Sequence, residues 1–185
     1  MTPSPVDVAD RHRRACAGFA QVVGRVADGW GRASPCTDWD ARGVLEHVIG
    51  FHDVLLLRPL GVKPARPKDD PEARWRRTES VIGDVLDELP RHAVRLPGGR
   101  ELGLVQLLPM LTTDVLVHTW DLTRAIGVPA VVDPELCETS LDALGDTYDL
   151  AATGLYGPPR DVATDADPVS RLVARLGRDP AWKPS

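Results

Sequence analysis

No apolar run in the 185 residues approaches the roughly 20 needed to cross a bilayer; the longest stretches, such as Val54 to Leu57 and Leu107 to Leu111, are far shorter, so no membrane partner is expected. An excess of positive charge is missing as well. The formal net charge is -5, which argues against a surface built to neutralise phosphates and excludes nucleic acid as the expected partner. Cysteine is scarce: Cys16, Cys36 and Cys137 are odd in number, far apart and without a C-x-x-C pair. Neither a disulfide framework nor a thiolate zinc site is suggested, and the three read as buried or half-buried free thiols. Strand signals are weak, because no run alternates β-branched and aromatic residues between hairpin turns. The opening MTPSPVDVADRHRRA has charges and no apolar segment before a cleavage site, so no secretory signal is expected and the cytoplasm is the expected location. Internal repeats and low-complexity tracts are lacking too.

What is present is a globular composition, 43% hydrophobic and 26% charged, long enough for a real core and naturally counted as one domain spanning residues 1–185. Apolar residues recur at three and four, so helices dominate. The first is expected from about Val6 to Trp30, with Ala9, Ala15, Phe19, Val22, Val23 and Val26 as its inward stripe. Thr37 or Asp38 can cap the second, from about Trp39 to Leu57. Three prolines make RPLGVKPARPKDD an exposed loop. Asp70 and Pro71 then open a third helix reaching Leu89. After the break PRHAVRLPGGRE, a fourth runs from about Leu102 to Ile126, with a kink expected at Pro109. Asp133 and Pro134 open a fifth, to about Thr153. The tail, residues 155–185, carries Gly157-Pro158-Pro159, an acidic DVATDAD segment and a short amphipathic piece from Pro168 to Leu176 expected to fold back over the bundle.

Wound at about 100° per residue, the fourth helix gathers Leu107, Leu111, Leu122 and Ile126 into one apolar arc, and Asp114 and His118 fall among them. At i and i+4 these two side chains can converge on one point. A bare carboxylate in an apolar stripe is costly unless something pairs with it; a cation is the strongest such partner, and an internal ion pair is a sufficient one. On the second helix, His47 and His52 lie about 140° apart at the same helical period, so at most one of them can share that point. Sites in four-helix bundles are built from inward side chains on facing helices. Three protein ligands leave positions open for water or substrate, as a reactive metal site requires. His52 otherwise reads as a satisfied core histidine, Asp121 and Arg124 as a helix-surface ion pair, and Trp39, Trp75 and Trp120 as packing anchors.

The segment PCTDWDARGVLEHVIG, followed downstream by DVLVHTWDLTRAIG, resembles the DinB-like superfamily, specifically the metal-binding domain of the mycothiol-dependent maleylpyruvate isomerases and its stand-alone relatives. The closing GPP and ARLGRDPAW segments are similar to the ending of those relatives. The resemblance implies an all-α fold, an up-and-down four-helix bundle with crossover loops plus a short extra C-terminal helix. It also implies a divalent metal, Zn²⁺ foremost with Ni²⁺ or Mn²⁺ as alternatives, held by His47, Asp114 and His118, with His52 orienting a ligand or the nucleophile from behind. The expected activity is that of a metal-dependent thiol transferase or isomerase-like enzyme on a small electrophilic substrate, with mycothiol or another small thiol as cosubstrate; the alternative is a non-catalytic metal- or ligand-binding module. A homodimer is implied by resemblance alone. Two departures stand out. The isomerases usually carry Glu where this chain has Asp114, whose shorter arm draws the oxygen back. They also carry a second, C-terminal domain that these residues do not supply, so maleylpyruvate isomerisation itself is not the expected reaction.

Overall fold

In the computed structural model, residues 3–88, 93–96, 98–145 and 155–184 are described. Helix α1 spans Pro5–Val23, opened by a capping box in which Ser4 accepts from the Asp7 amide while Asp7 accepts from the Ser4 amide. It stops well short of Trp30. The chain turns at Gly24, passes a left-handed Ala27 (φ 47°) and forms a separate 3-10 turn at Gly29–Gly31. Val26 is nonetheless buried, which is why the apolar stripe ran on past the helix.

Helix α2, Ala41–His52, is capped by Asp40, which accepts from the Gly43 amide, rather than by Thr37 or Asp38. Its last turn widens into a π-turn over Asp53–Leu57. The Pro-rich loop that follows is pinned by Arg66, whose guanidinium grips both Asp53 oxygens at 2.7 and 2.9 Å and donates to Thr78 Oγ1. Helix α3, Pro71–Glu88, starts on the expected Asp70 cap; its expected end at Leu89 lies outside the described residues. A two-residue hairpin, β1 (Val94–Arg95) and β2 (Glu101–Leu102), pairs antiparallel with Val94 opposite Leu102. Strands this short leave no periodic trace in a sequence.

Helix α4, Leu104–Ile126, runs through Pro109 and ends at Gly127 in the left-handed conformation. Helix α5, Pro134–Leu144, opens on the Asp133 cap, and its expected extension to Thr153 falls outside the described residues. Helix α6, Pro168–Arg175, is capped by Asp167.

The fold is all-α, organised around α4. Helices α1 and α2 pack against it, α3 packs on α1 and α2, and α5 and α6 cover what remains. Every residue from Leu111 to Thr123 is buried, so α4 is a central helix rather than a half-exposed one. Leu107, Leu111, Val115 and Leu122 supply its apolar contacts, with Trp75 set edge-on to Phe19 nearby in the same core. Such a helix can carry buried polar groups on several faces, each of which needs a partner. No helix among the described residues is long and apolar enough to cross a membrane.

Candidate metal centre

Helix α2 delivers His47 and helix α4 delivers Asp114 and His118 to one point. His47 Nε2 lies 3.3 Å and His118 Nε2 3.5 Å from Asp114 Oδ1, and the two imidazole rings meet edge-on with centroids 4.7 Å apart. The spacing of four along α4 stacks Asp114 over His118, and the Asp arm is long enough to reach both nitrogens. Asp114 and His118 are buried, while His47 keeps 22% of its side chain exposed and opens the group to the outside.

One atom of this group lacks a partner. Asp114 Oδ2 is buried and accepts no hydrogen bond from any of the described residues. An orphaned carboxylate oxygen costs free energy of about 1–3 kcal/mol or more, and two imidazole nitrogens beside it complete a donor set suited to a divalent cation. The residues present therefore fit the expected ion.

Burial disfavours the charged form of His118, but the adjacent Asp114 and Asp121 carboxylates outweigh it and push the imidazole up to about 9. Burial likewise opposes ionisation of Asp114, and His118 and His47 together overcome it, holding the carboxyl well below its usual range. The metal-free trio is thus a carboxylate–imidazolium pair with His47 donating to the same oxygen.

The expected surface pair of Asp121 with Arg124 does not form. Asp121 is fully buried, and His118 Nδ1–H donates to its Oδ2 at 2.9 Å. Arg178, from the tail, closes on the same carboxylate at 3.0 and 3.3 Å and donates onward to the Leu176 carbonyl. Arg124 instead donates to the Pro180 carbonyl and lies over the Trp120 ring. The cause of the difference is the tail, which covers the face of α4 that the isolated helix would show to solvent. A carboxylate on the far nitrogen fixes the ring and its tautomer, leaving Nε2 free to face Asp114. The i, i+3 spacing of His118 and Asp121 was the one available signal of this; Arg178, 57 residues away in sequence, left none.

His52, expected to orient a ligand, instead hydrogen-bonds to the Val48 carbonyl and to His12. Trp39 is more than a packing anchor: its indole stacks on His47 at 4.3 Å, and Phe51 also stacks on that imidazole at 5.4 Å. Trp75 and Trp120 are buried as expected, as are Cys16 and Cys137, and Cys36 is half-buried; all three thiols are free.

Over the trio lies a cavity of about 550 Å³, walled by Trp39, Phe51 and Tyr156, with Cys36 and Arg160 along its sides. A separate cavity of about 300 Å³ near Val8, Pro109 and Leu136 shares none of these residues. Within the tail, the turn before Arg178 packs against the segment at Gly157 through a contact between two glycines. A Cβ on Gly177, whose φ is +82°, would lie 2.8 Å from the backbone of Gly157, so both the conformation and the space demand glycine there. Gly177→Ala should lower the melting temperature and loosen Arg178 from Asp121. We expect about 1–3 kcal/mol of destabilisation from strain and overpacking, measured by denaturant unfolding; an unchanged midpoint would show that this contact does not stabilise the fold of the tail.

The model of the mycothiol maleylpyruvate isomerase N-terminal domain matches residues 12–123, a stretch that includes His47, Asp114, His118 and Asp121 but stops before the tail. Two uncharacterized proteins of Mycobacterium tuberculosis, from strains CDC 1551 / Oshkosh and ATCC 25618 / H37Rv, are each 31% identical over 179 residues, covering 90% of this chain and 95% of their own length. No solved structure matches the chain significantly. With its helical bundle and a domain match over more than half its length, the chain belongs to the mycothiol maleylpyruvate isomerase N-terminal domain family.

Proposed function

We propose that His47, Asp114 and His118 hold one divalent cation, Zn²⁺ foremost with Ni²⁺ or Mn²⁺ as alternatives, and that the site joins a small thiol, mycothiol among them, or water to a small electrophilic substrate in the cytoplasm. The observation that carries this reading is the buried, unpartnered Oδ2 of Asp114 beside two imidazoles at the base of a cavity of about 550 Å³. A divalent ion bound there lowers the pKa of a thiol or water and so supplies a nucleophile near neutral pH.

The chain's own groups divide the remaining work. Asp121 keeps the hydrogen on His118 Nδ1, and Arg178 holds that carboxylate in place. Trp39 and Phe51 both stack on the His47 ring and limit its rotation. The apolar walls suit the body of a small organic substrate, and the His47 edge is where it would enter.

The reading is tested by assaying thiol addition to a panel of small electrophiles with the purified chain, with and without chelator. Turnover that chelator abolishes and Zn²⁺ restores supports it. A fall in melting temperature on chelation with no turnover would instead make the ion a brace for the bundle.

The raised pKa of His118 gives a second expected outcome. Near pH 7 the metal-free imidazole is protonated, since its pKa stands at about 9, whereas a bound ion needs Nε2 bare. Loading should therefore release about one proton per ion, read by calorimetry of Zn²⁺ binding in buffers of different ionisation heat. The release should fade as pH rises through about 9. For the stripped chain the sign is the reverse of the usual acid loss: a raised imidazole pKa contributes stability that is complete below the free-histidine value and is lost on going above about 9, so it should melt lower at alkaline pH than at neutral. Heats independent of the buffer would contradict the proposed ligand.

A further inference from the structure

A second group of ligand atoms lies where α1, α2 and α4 meet, and it shares no residue with the first. His12 and Cys16 stand one turn apart on α1, His52 ends α2, and all three are buried. His12 Nε2 is 3.1 Å from His52 Nε2 and 3.6 Å from Cys16 Sγ, and ligand atoms of the three lie within 4.8 Å of one another. The far nitrogen of each ring is already engaged: His52 Nδ1 at 2.7 Å from the Val48 carbonyl oxygen, His12 Nδ1 at 3.1 Å from Thr112 Oγ1.

Hydrogen bookkeeping shows what this arrangement leaves over. A carbonyl only accepts, so the hydrogen of His52 sits on Nδ1. Burial disfavours the charged form of both histidines, so His52 Nε2 carries a bare lone pair. Without a cation, His12 Nε2 must hold its hydrogen and give it to His52, and the Thr112 hydroxyl must donate to His12 Nδ1. The Cys16 thiol then faces, at 3.6 Å, a nitrogen with no lone pair to offer. A cation resolves this. The His12 hydrogen moves to Nδ1 and is donated to Thr112, two imidazole lone pairs and a sulfur converge, and the thiol proton leaves to solvent as the ion enters.

The spacings agree with a shared ion. Tetrahedral bonds of about 2.0–2.1 Å to imidazole and about 2.3 Å to thiolate set edges of roughly 3.3 Å between nitrogens and roughly 3.6 Å between nitrogen and sulfur. The observed 3.1 and 3.6 Å lie close to these. Negative charge is at hand too, because the Asp114 carboxylate acts electrostatically on both His12 and His52. The geometry points to a second metal site, His12–Cys16–His52, selective for a borderline-soft divalent cation of the zinc class. Two nitrogens and a thiolate, with no oxygen ligand, disfavour Mg²⁺, Ca²⁺ and Mn²⁺. The site reaches beyond the proposed catalytic reading and does not depend on it.

Because the cluster is closed, the ion has to enter while the core is open. The test is to unfold the full chain, refold it with excess Co²⁺, remove free metal, and record cobalt content and the near-ultraviolet sulfur-to-cobalt charge-transfer band. No cysteine belongs to the His47–Asp114–His118 group, so that band reports the second site alone. We expect two cobalt ions per chain and the band in the refolded protein, loss of the band and of one ion in Cys16→Ala, and loss of one ion with the band kept in His118→Ala. The double variant Cys36→Ala/Cys137→Ala, which leaves the cluster untouched, should keep the band in full. Absence of the band in the folded wild-type chain or in that double variant overturns the proposal, as does its persistence in Cys16→Ala; a missing His118-dependent ion with the band present would instead sink the first site and leave this one standing.

Discussion

His118→Ala is expected to abolish retention of the ion assigned to the cavity, and Asp114→Ala to do the same. Each removes a donor from a set of three, and each also strands its neighbour. Without His118 the Asp121 carboxylate loses its imidazole partner at 2.9 Å; without Asp114 the two histidines face each other, 4.7 Å apart between ring centres, with no anion between them. His47→Ala should also release the ion, since this ring carries the exposed edge of the site. His52→Ala should leave the His118-dependent ion bound, because His52 spends its nitrogens on Val48 and His12. Metal content after dialysis, by mass spectrometry of protein prepared without a histidine tag, separates these outcomes. A His118-dependent ion that survives His47→Ala and leaves with His52→Ala would mean that α2 contributes the other histidine to the cavity site.

The second large effect is expected at Asp121. This carboxylate is fully buried and is shared between His118 and Arg178. Removing it in Asp121→Ala leaves the Arg178 guanidinium, 9% exposed, without its counter-charge. Breaking one side of a buried ion pair costs about 3–5 kcal/mol, because the remaining charge is left desolvated. The ligand ring is released at the same time, and losing such an outer partner weakens a metal site by about 10–100-fold. Urea unfolding and chelator competition read the two effects separately. A loss below about 1 kcal/mol, the size of an exposed pair, would show that the tail does not bury Asp121 in solution.

These two sites also show where sequence reading succeeds. Asp114 and His118 were visible because both sit on one helix at a spacing that forces them together, and a carboxylate in an apolar stripe calls for a partner. His47 was distinguished from His52 by family resemblance, since helical geometry alone excluded only their sharing one point. Helix starts were legible where a cap and a proline coincide, at Asp70–Pro71 and Asp133–Pro134. The α2 start was misplaced because Thr37, Asp38 and Asp40 all offer a capping oxygen and only the backbone decides among them.

What stayed hidden depends on contacts distant in sequence. Asp121 read as a surface residue because a wheel treats α4 as covered on one side, whereas α5, α6 and the tail cover the rest. Within the tail, Gly157 comes close to Gly177, a contact that leaves no pattern in either segment. Cys16 was set aside as a metal ligand for want of a C-x-x-C pair, yet its histidine neighbours lie 4 and 36 residues away, on two helices. The Val26 stripe shows the converse error: periodicity reports burial, and burial continued after the helix had ended.

The central claim is that three side chains from α2 and α4 share one cation. Metal-specific anomalous diffraction from crystals of the zinc-loaded chain tests it most directly. The account predicts a zinc peak within bonding distance, about 2.0–2.2 Å, of His47 Nε2, His118 Nε2 and an Asp114 carboxylate oxygen. Density showing these groups in direct contact with one another and no anomalous signal between them, in crystals grown with excess Zn²⁺, would contradict it.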